Sequence, residues 1–302
     1  MKISIVTPSF NSGQYIRETM QSVISQQGDF SIEYIVVDNC SDDCTKEIVE
    51  DIQRQLENTK FPSGCNGITL IFICEPDQGM YDAINKGFSR ATGDICAWIN
   101  ANDIYLPGAF NTISTVFTKY PEIHWVSGIS SWISNKSAIY VVGKCWLYSQ
   151  EWLSRGIYGR SGYFVLQESV FWRRTLWDRV GEINHSLKLA GDYYLWLAFS
   201  RFAPLVSVQV YLSCFRKVPG QLSGDLSKYR KEMAAIQPPQ GRIFEFIIKA
   251  YFHFEKNIPA WIRPILFLIL FGKHIYRAIR VSSNDEYQLF EGKYYTVINK
   301  LK

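Results

Sequence analysis

Four short polar stretches in the N-terminal third contain the residue types best suited to chemistry. They are Thr7-Pro8-Ser9-Phe10-Asn11, Asp38-Asn39-Cys40-Ser41-Asp42-Asp43, Glu75-Pro76-Asp77-Gln78-Gly79 and Asn100-Ala101-Asn102-Asp103. Acidic residues dominate the set, and carboxylate oxygens bind hard divalent cations that can in turn hold a phosphate. Asp, Asn, Ser and Pro also form ordinary turns and helix caps, so one such stretch alone would indicate little.

Each stretch follows a short apolar run that predicts a strand, and helical periodicity fills the intervals between them. The predicted strands are Ile3–Val6, Tyr34–Val37, Ile68–Cys74 and Ile95–Ile99, and the predicted helices are Ser12–Gln27, Cys44–Asn58 and Tyr81–Ala91. This alternation indicates an α/β fold with a mostly parallel central sheet flanked by helices. Ligands of such sheets bind beyond the carboxyl ends of the strands, so the four stretches should converge on one crevice.

Several classes of protein are excluded or disfavoured. No G-x-G-x-x-G follows the first strand and no G-x-x-x-x-G-K-[ST] occurs, so the dinucleotide fingerprint and the P-loop are both missing. The net charge of +4 is small for 302 residues, and we expect no nucleic-acid partner. None of the seven cysteines has C-x-x-C spacing, and the N-terminal apolar run is too short for a signal peptide. We therefore expect a cytoplasmic protein.

Six motifs carry a resemblance to a known family. In order, they are TPSFN, VVDNCSDD, EPDQGMYDAINKGFSRATGD, INANDIYLPGA, QESVFWRRTLWDRVG and AGDYYLW. The chain resembles the family 2 glycosyltransferases from about Lys2 to Ser223. These are inverting enzymes with the GT-A nucleotide-sugar-binding fold. The resemblance implies a nucleotide-sugar donor, usually a UDP-sugar, and a glycan or lipid-linked acceptor hydroxyl in surface polysaccharide biosynthesis.

The resemblance places the donor nucleotide over the first three stretches. Asp38 matches the residue that reads the base and would accept a hydrogen bond from uracil N3–H, with Thr7 and Pro8 lining the same slot. Asp77, Asp82 and Asn85 match further donor positions. For Asp82 and Asn85, which share a helix face, a helix-start and structural hydrogen-bonding role is an equal alternative.

A departure from the family pattern occurs at the candidate metal site. The family strand usually ends in an Asp-Asp pair whose second aspartate binds Mn²⁺ or Mg²⁺ bridged to the diphosphate, whereas this chain has Asn102-Asp103. The resemblance therefore implies Asp103 as the metal ligand. Losing one negative charge leaves two alternatives, in which Asn102 makes only a hydrogen bond or the metal affinity is reduced.

The catalytic residues are expected in the second half. Transfer to a sugar hydroxyl needs a general base, and Asp192 in AGDYYLW matches the family's base position, where helix capping is the alternative. Glu168 is expected to grip acceptor hydroxyls, and Trp172 is either a sugar-stacking platform or a core residue. Related sequences commonly carry FR-x-H where this chain has Val218, and Arg216 and Lys217 are expected to neutralise the diphosphate instead.

The composition predicts two regions. Residues 1–228 should form the GT-A catalytic domain, with 1–110 binding the nucleotide-sugar and 111–228 the acceptor, and residues 229–302 a helical extension. A helix from Pro264 to Arg280 would carry a basic arc opposite Leu268, Ile275 and Ile279. Two interpretations of residues 261–280 remain. They form a peripheral contact with the inner face of the cytoplasmic membrane, or they pack on the catalytic domain or within a homo-oligomer.

Two functional hypotheses follow. The first is an active, metal-dependent inverting glycosyltransferase. The second, motivated by Asn102 and Val218, is a degenerate family member that binds nucleotide-sugar or partner enzymes without turnover.

Overall fold

The central feature of the computed structural model is a mixed sheet with helices packed against it. The structure describes residues 1–58, 64–159, 164–218, 221, 224–237, 246, 250, 258–259, 261–262, 265–266 and 274–301. The strands within these ranges are β1 Lys2–Ser9, β2 Ser31–Asp38, β3 Ile68–Cys74, β4 Ile95–Trp98, β5 Ile104–Tyr105, β6 Trp125–Ile133, β7 Ile139–Val141, β8 Val170–Arg173, β9 Val206–Arg216, β10 Tyr276–Val281 and β11 Tyr287–Gly292.

The α-helices in the same ranges are α1 Ile16–Ile24, α2 Thr45–Glu57, α3 Met80–Arg90, α4 Ala109–Lys119, α5 Gln150–Ser154, α6 Arg174–Val180, α7 Gly191–Ser200, α8 Leu226–Ile236 and α9 Tyr294–Leu301. One 3-10 turn, Gln167–Ser169, precedes β8. No helix in the described part of the chain is long and apolar enough to cross a membrane.

The strand order determines which strand ends lie together at one edge of the sheet. It is β11-β10-β9-β6-β8-β4-β1-β2-β3, with β5 paired to β9 and β7 to β6. β1 to β4 are parallel, and β8 is antiparallel to both β4 and β6, so β6 and its parallel neighbour β9 run in the direction of β4. The carboxyl ends of β1 to β4, β6 and β9 therefore share one edge with the start of β8. We call it the catalytic edge.

The N-terminal α/β pattern is confirmed. β3 has the predicted bounds, and β1, β2 and β4 contain or closely match their predicted runs. β-Branched and aromatic residues fill these strands, which suits the pleated surface between two helix layers, and β1, β2 and β4 are buried along nearly their whole length. The predicted helices are observed with ends that differ by one to four residues; every end lies inside the predicted range except the start of α3, which begins one residue earlier.

The prediction of a helical C-terminal extension is wrong over residues 276–292, whereas the helix α9 that follows fits it. Residues 276–281 and 287–292 form β10 and β11, and β10 pairs in parallel with β9 and extends the central sheet. Tyr276, Ala278 and Ile279 are buried in this position. β10 also supplies hydrogen-bond partners for backbone groups along the edge of β9. The predicted boundary at residue 228 also falls inside α8.

The predicted basic helical arc is wrong over residues 276–280, which are strand. Arg277 pairs with Glu291 at 2.7 Å and the Arg280 guanidinium donates to the Lys300 carbonyl, so these cations are not displayed together. Lys273 and Leu268 lie outside the described residues. Ile279 packs in the core, as the packing alternative requires, whereas a contact with a second chain stays a prediction.

An aromatic cluster fixes α7 to the sheet. Trp196 of α7 stacks on Trp98 with an interplanar angle of 11° and on Trp125 at 26°, with ring centroids 5.7 Å apart in both pairs. Each such pair contributes about 0.5–1.5 kcal/mol beyond the area it buries. Trp172 is fully buried within this cluster, so it is the core residue of the two alternatives and not a sugar platform.

Candidate active site

The loops after β1, β2 and β3 are joined by side-chain hydrogen bonds at the catalytic edge. The Asn11 backbone N–H donates to the Ser41 hydroxyl at 2.8 Å, and the Asp77 N–H donates to the Asn39 Oδ1 at 2.8 Å. Asn11 adopts a left-handed backbone with φ of 48°, which asparagine tolerates better than most residues. The polar turn residues therefore build one rim from three separate loops.

Asp38 ends β2 within this rim and is fully buried. The Ser41 backbone N–H and hydroxyl donate to its two carboxylate oxygens, at 2.8 and 2.6 Å. The carboxylate thus already holds the loop after β2. Contact with a base would use its remaining lone pairs, because each carboxylate oxygen can accept two hydrogen bonds.

The expectation that the Thr7 side chain lines the nucleotide slot is wrong. Its hydroxyl is buried and shares a 3.0 Å hydrogen bond with the Tyr34 hydroxyl, and Pro8 is buried beside it. Ser9, one position further along β1, pairs in register with Asp38. Its buried hydroxyl has no hydrogen-bond partner among the described residues and so keeps its capacity to bond a ligand.

The start of α3 is held by the acidic residues that precede and begin it. Asp77 accepts from the Gly79 N–H at 2.7 Å, and burial, reinforced by the charges of Asp82 and Asp38, raises its pKa. Asp82 accepts from the Gln78 N–H and pairs with Lys86 at 3.4 Å. For Asp82, the helix-start alternative is therefore the observed role.

Asn85 also has the structural role. Its amide donates to the Ile183 carbonyl at 2.7 Å and accepts from the Ile183 N–H at 3.0 Å. These two hydrogen bonds satisfy both backbone groups of Ile183 and the buried side-chain amide of Asn85. They also connect α3 to the loop after α6. The prediction of a direct donor contact by Asn85 is wrong in this geometry.

Asp103 lies fully buried beyond the end of β4. Its Oδ1 accepts from the Arg216 backbone N–H at 2.7 Å and its Oδ2 accepts from the Asn100 amide at 3.2 Å. Burial and then the nearby Glu168 carboxylate raise the pKa of Asp103 well above its usual range. The Asn102 side-chain amide donates a long hydrogen bond to the Arg216 carbonyl at 3.4 Å, so Asn102 makes a hydrogen bond here.

Arg216 does not point to a diphosphate, contrary to expectation. Its fully buried guanidinium donates to the Asn102 and Ser134 carbonyls, the Ser137 hydroxyl and, at 2.6 Å, the Glu18 carboxylate. It also lies 4.9 Å from the Tyr15 ring centre. The planar fork of an arginine suits this clasp, which joins α1, the end of β4 and the turn after β6.

Lys217 remains available for an anion. Its side chain is exposed, and its ammonium lies 6.0 Å from the Trp132 ring centre at the end of β6. Val218, where related sequences carry histidine, donates its N–H to the Gln221 side chain. Of the two cations expected at the diphosphate, only Lys217 is free to move toward it.

Glu168 lies in the 3-10 turn just before the antiparallel strand β8 and so reaches the catalytic edge from the opposite chain direction. It is 3% exposed and accepts from the Ser130 hydroxyl at 2.5 Å. Burial raises its pKa, the Ser130 hydrogen bond opposes the rise, and the Asp192 charge adds to it. Glu168 and Asp103 thus form a buried acidic pair that disfavours a full double negative charge.

Asp192 stands at the first turn of α7 and lines a cavity of about 20 Å³, room for about one water molecule. Tyr193, Trp196 and Tyr229 line the same cavity. The Tyr229 hydroxyl donates to Asp192 Oδ1 at 2.8 Å. Burial raises the pKa of Asp192 to about 6, against the lowering effect of hydrogen bonds from Tyr229 and the Tyr193 N–H.

The loop before α7 is clamped by α8, which the sequence interpretation placed at the domain boundary. Glu232 accepts from the backbone N–H groups of Lys188, Leu189 and Ala190 at 2.5–2.7 Å. The Tyr81 hydroxyl donates to the Leu189 carbonyl at 2.7 Å. These contacts fix the entry to α7 and hence the position of Asp192.

A family comparison identifies the N-terminal part of this fold. The model described as glycosyl transferase family 2 matches residues 4–131. The putative teichuronic acid biosynthesis glycosyltransferase TuaG of Bacillus subtilis is 32% identical over 101 residues, which make up 33% of this chain and 36% of that protein. The chain spans 33–60% of the length of the uncharacterised Nostoc and Rickettsia glycosyltransferases that it also matches.

Solved structures share the whole architecture. S. aureus TarS 1-349, solved in complex with UDP-GlcNAc, gives a TM-score of 0.57 at 16% identity and covers 87% of this chain and 78% of its own. The Pyrobaculum calidifontis mannosyltransferase PcManGT, solved with GDP-Man and Mn²⁺, gives 0.51 at 17% identity, with coverage of 89% and 69%. At such identities the likeness shows the fold. Residues 4–131 therefore match glycosyl transferase family 2, and the shared architecture shows that the chain adopts the GT-A fold.

Proposed function

We propose that this chain transfers a sugar from a UDP-sugar to a hydroxyl of a glycan or lipid-linked acceptor, with inversion at the anomeric carbon. The observation that carries the proposal is Asp192, a partly exposed carboxylate that lines a cavity and has its pKa raised to about 6. A general base works best when its pKa lies near the operating pH. Asp192 meets that requirement, and it is ionised at neutral pH.

Asp192 would accept the acceptor's hydroxyl proton while the acceptor oxygen bonds to the anomeric carbon. The bond from that carbon to the diphosphate oxygen breaks at the same time, and the electron pair leaves with the UDP. Glu168 suits the base role less well, because it is 3% exposed and its carboxylate is held by Ser130. We assign Glu168 instead to the electrostatics of the catalytic edge, through its coupling to Asp103.

The donor would lie on the rim built by the loops after β1 to β3. Ser9, Asp38 and Asp77 supply polar groups there, and Lys217 supplies an exposed cation for the diphosphate. The UDP-GlcNAc complex of TarS supports UDP as the nucleotide. The name of TuaG supports an acceptor in surface polysaccharide biosynthesis.

A divalent cation, Mn²⁺ or Mg²⁺, fits the end of β4 if it is shared with the donor. In the described part of the chain, no three His, Cys, Asp or Glu side chains gather to hold a metal by themselves. Asp103 offers one carboxylate, and beside it the buried Asn100 Oδ1 has no hydrogen-bond partner among the described residues. Mg²⁺ is often held by one or two carboxylates together with substrate phosphates. When bound, the cation would neutralise charge on the departing diphosphate.

The test is UDP release from a panel of UDP-sugars by the wild type and by Asp192→Asn. We expect the variant to keep UDP affinity within about twofold and to lose turnover by about 10² or more, as expected on removal of a general base. Asp178→Asn is a matched control, since this exposed carboxylate on α6 pairs with Arg174 of the same helix and lies outside the Asp192 cavity. Near-normal turnover of Asp192→Asn would refute the assignment. No UDP release by the wild type, with UDP still bound, would favour the degenerate alternative that Asn102 and Val218 motivate.

A further inference from the structure

The turn and strand that follow β6 expose an unusual amount of apolar surface. We call residues 134–146 the apolar hairpin. Ile139, Tyr140, Val141 and Val142 are 40–64% exposed, and Trp146 is 37% exposed. All three side chains of β7 are exposed, although the Tyr140 ring packs edge-on against Trp132. A contiguous exposed apolar patch of this kind is typical of a surface that binds a membrane or another protein.

The charged residues within the segment that contains the apolar hairpin are all basic. No Asp or Glu occurs between Glu122 and Glu151, whereas Lys136 and Lys144 lie at the two ends of the exposed run. Both lysines are exposed. Cationic, aromatic and aliphatic side chains in one segment match the interfacial layer of an anionic membrane, where Lys contacts headgroups and Tyr and Trp settle at the boundary.

The apolar hairpin is fixed to the catalytic edge by the Arg216 clasp. The Arg216 Nη1 donates to the Ser134 carbonyl and to the Ser137 hydroxyl, both at 3.0 Å. Ser137 holds a left-handed backbone with φ of 61°, which closes the turn. Because the same guanidinium also bonds the Asn102 carbonyl, the hairpin keeps a set position relative to the acidic end of β4.

The apolar hairpin fits an anionic lipid surface better than it fits a second copy of the chain. β7 has a free edge, but pairing two copies there would bring four lysines together without a nearby acidic side chain on this segment. An anionic surface complements the same lysines. The charge pattern therefore favours the membrane.

We propose that the apolar hairpin inserts into the headgroup boundary of an anionic membrane and holds the catalytic edge against it. Insertion itself needs no turnover. Only its consequence, access of the site to a lipid-linked acceptor, rests on the proposed function. The surface is also distinct from residues 261–280, which the sequence interpretation assigned to the membrane.

Vesicle flotation of the full chain tests the proposal, with phosphatidylcholine vesicles that do or do not contain 30% phosphatidylglycerol. The wild type should partition to anionic vesicles at least tenfold more strongly than to neutral ones, and added salt should reduce but not abolish this preference. Lys136→Glu/Lys144→Glu and Val141→Ser/Val142→Ser should each lower anionic partition at least fivefold. Phe202→Ser, which removes a 48% exposed apolar side chain beyond the far end of α7, should leave it unchanged.

An unfolding midpoint in urea like that of the wild type shows that each variant is folded, and this control does not depend on the proposed function. Wild-type partition no greater with phosphatidylglycerol than without it would overturn the proposal. So would hairpin variants that float like the wild type. A wild-type dimer that dissociates on Val141→Ser/Val142→Ser, measured by light scattering without vesicles, would assign the surface to a second copy instead.

Discussion

Removing the Tyr229 hydroxyl should shift the pH dependence of turnover without changing its plateau. Tyr229 donates to Asp192 Oδ1 at 2.8 Å, and this bond favours the ionised carboxylate. A hydrogen bond to a charged group is worth about 1.5–3 kcal/mol, or about one to two pKa units at 1.36 kcal/mol each. Water entering the adjacent cavity would replace part of the lost hydrogen-bond energy. We therefore expect the pKa of Asp192 to rise by about one unit, the lower end of this range.

The assay is kcat/KM for UDP release between pH 5 and pH 9. The acid limb, which reports the free-enzyme base, should lie near the pKa of about 6 in the wild type and about one unit higher in Tyr229→Phe. At pH 6 the variant should therefore be about fivefold slower, and at pH 9 equal. Tyr193→Phe is the matched control, because its hydroxyl lines the same cavity but donates to the Gly156 carbonyl. A uniform loss of rate at every pH would refute the reasoning, as would an equal shift in Tyr193→Phe.

Three further predictions concern the buried charges. The free energy of unfolding of Glu168→Gln should rise relative to that of the wild type as pH increases above 4.5. The reason is that a carboxyl group whose pKa is raised in the folded state destabilises that state when it ionises, and glutamine does not ionise. Urea unfolding at pH 5 and pH 8 measures the difference in free energy. Arg216→Met should lower the free energy of unfolding by about 3 kcal/mol, whereas Glu18→Gln, at a 40% exposed partner, should cost about 1 kcal/mol or less in the same urea experiment. Mn²⁺ should bind appreciably only with UDP present and should release a proton from the Asp103–Glu168 pair, seen by calorimetry in two buffers of different ionisation enthalpy. Equal Mn²⁺ affinity with and without UDP would contradict the shared site.

The N-terminal fold was predictable because its signals are local. β-Branched runs such as Ile68–Cys74 are bounded by turn residues and separated by amphipathic helices, so period and punctuation agree. β10 was not predictable on the same basis. Its residues also fit a helical pattern, and only pairing with β9, about seventy positions earlier in the chain, makes them a strand.

The residues of the candidate site also fall into those that the sequence could predict and those that it could not. The structure brings Asp103, Glu168 and Asp192 close enough for their charges to interact, as the order of the motifs suggests, and their metal-binding and catalytic roles stay predictions. The sequence could not give Arg216 its role, since the clasp depends on Glu18 and Ser134, which lie 198 and 82 positions away. It also missed Tyr229 and Glu232, because α8 lies where the family pattern fades and its contacts with α7 are purely tertiary.

The central claim is that this catalytic edge transfers sugars with inversion. Time-resolved proton NMR of the sugar first formed from an α-linked UDP-sugar, by transfer or by slow hydrolysis, tests it most directly. The account predicts a β-anomeric signal that appears before mutarotation and is absent with Asp192→Asn. An α-anomeric first product, or a β-anomer formed equally by Asp192→Asn, would contradict it.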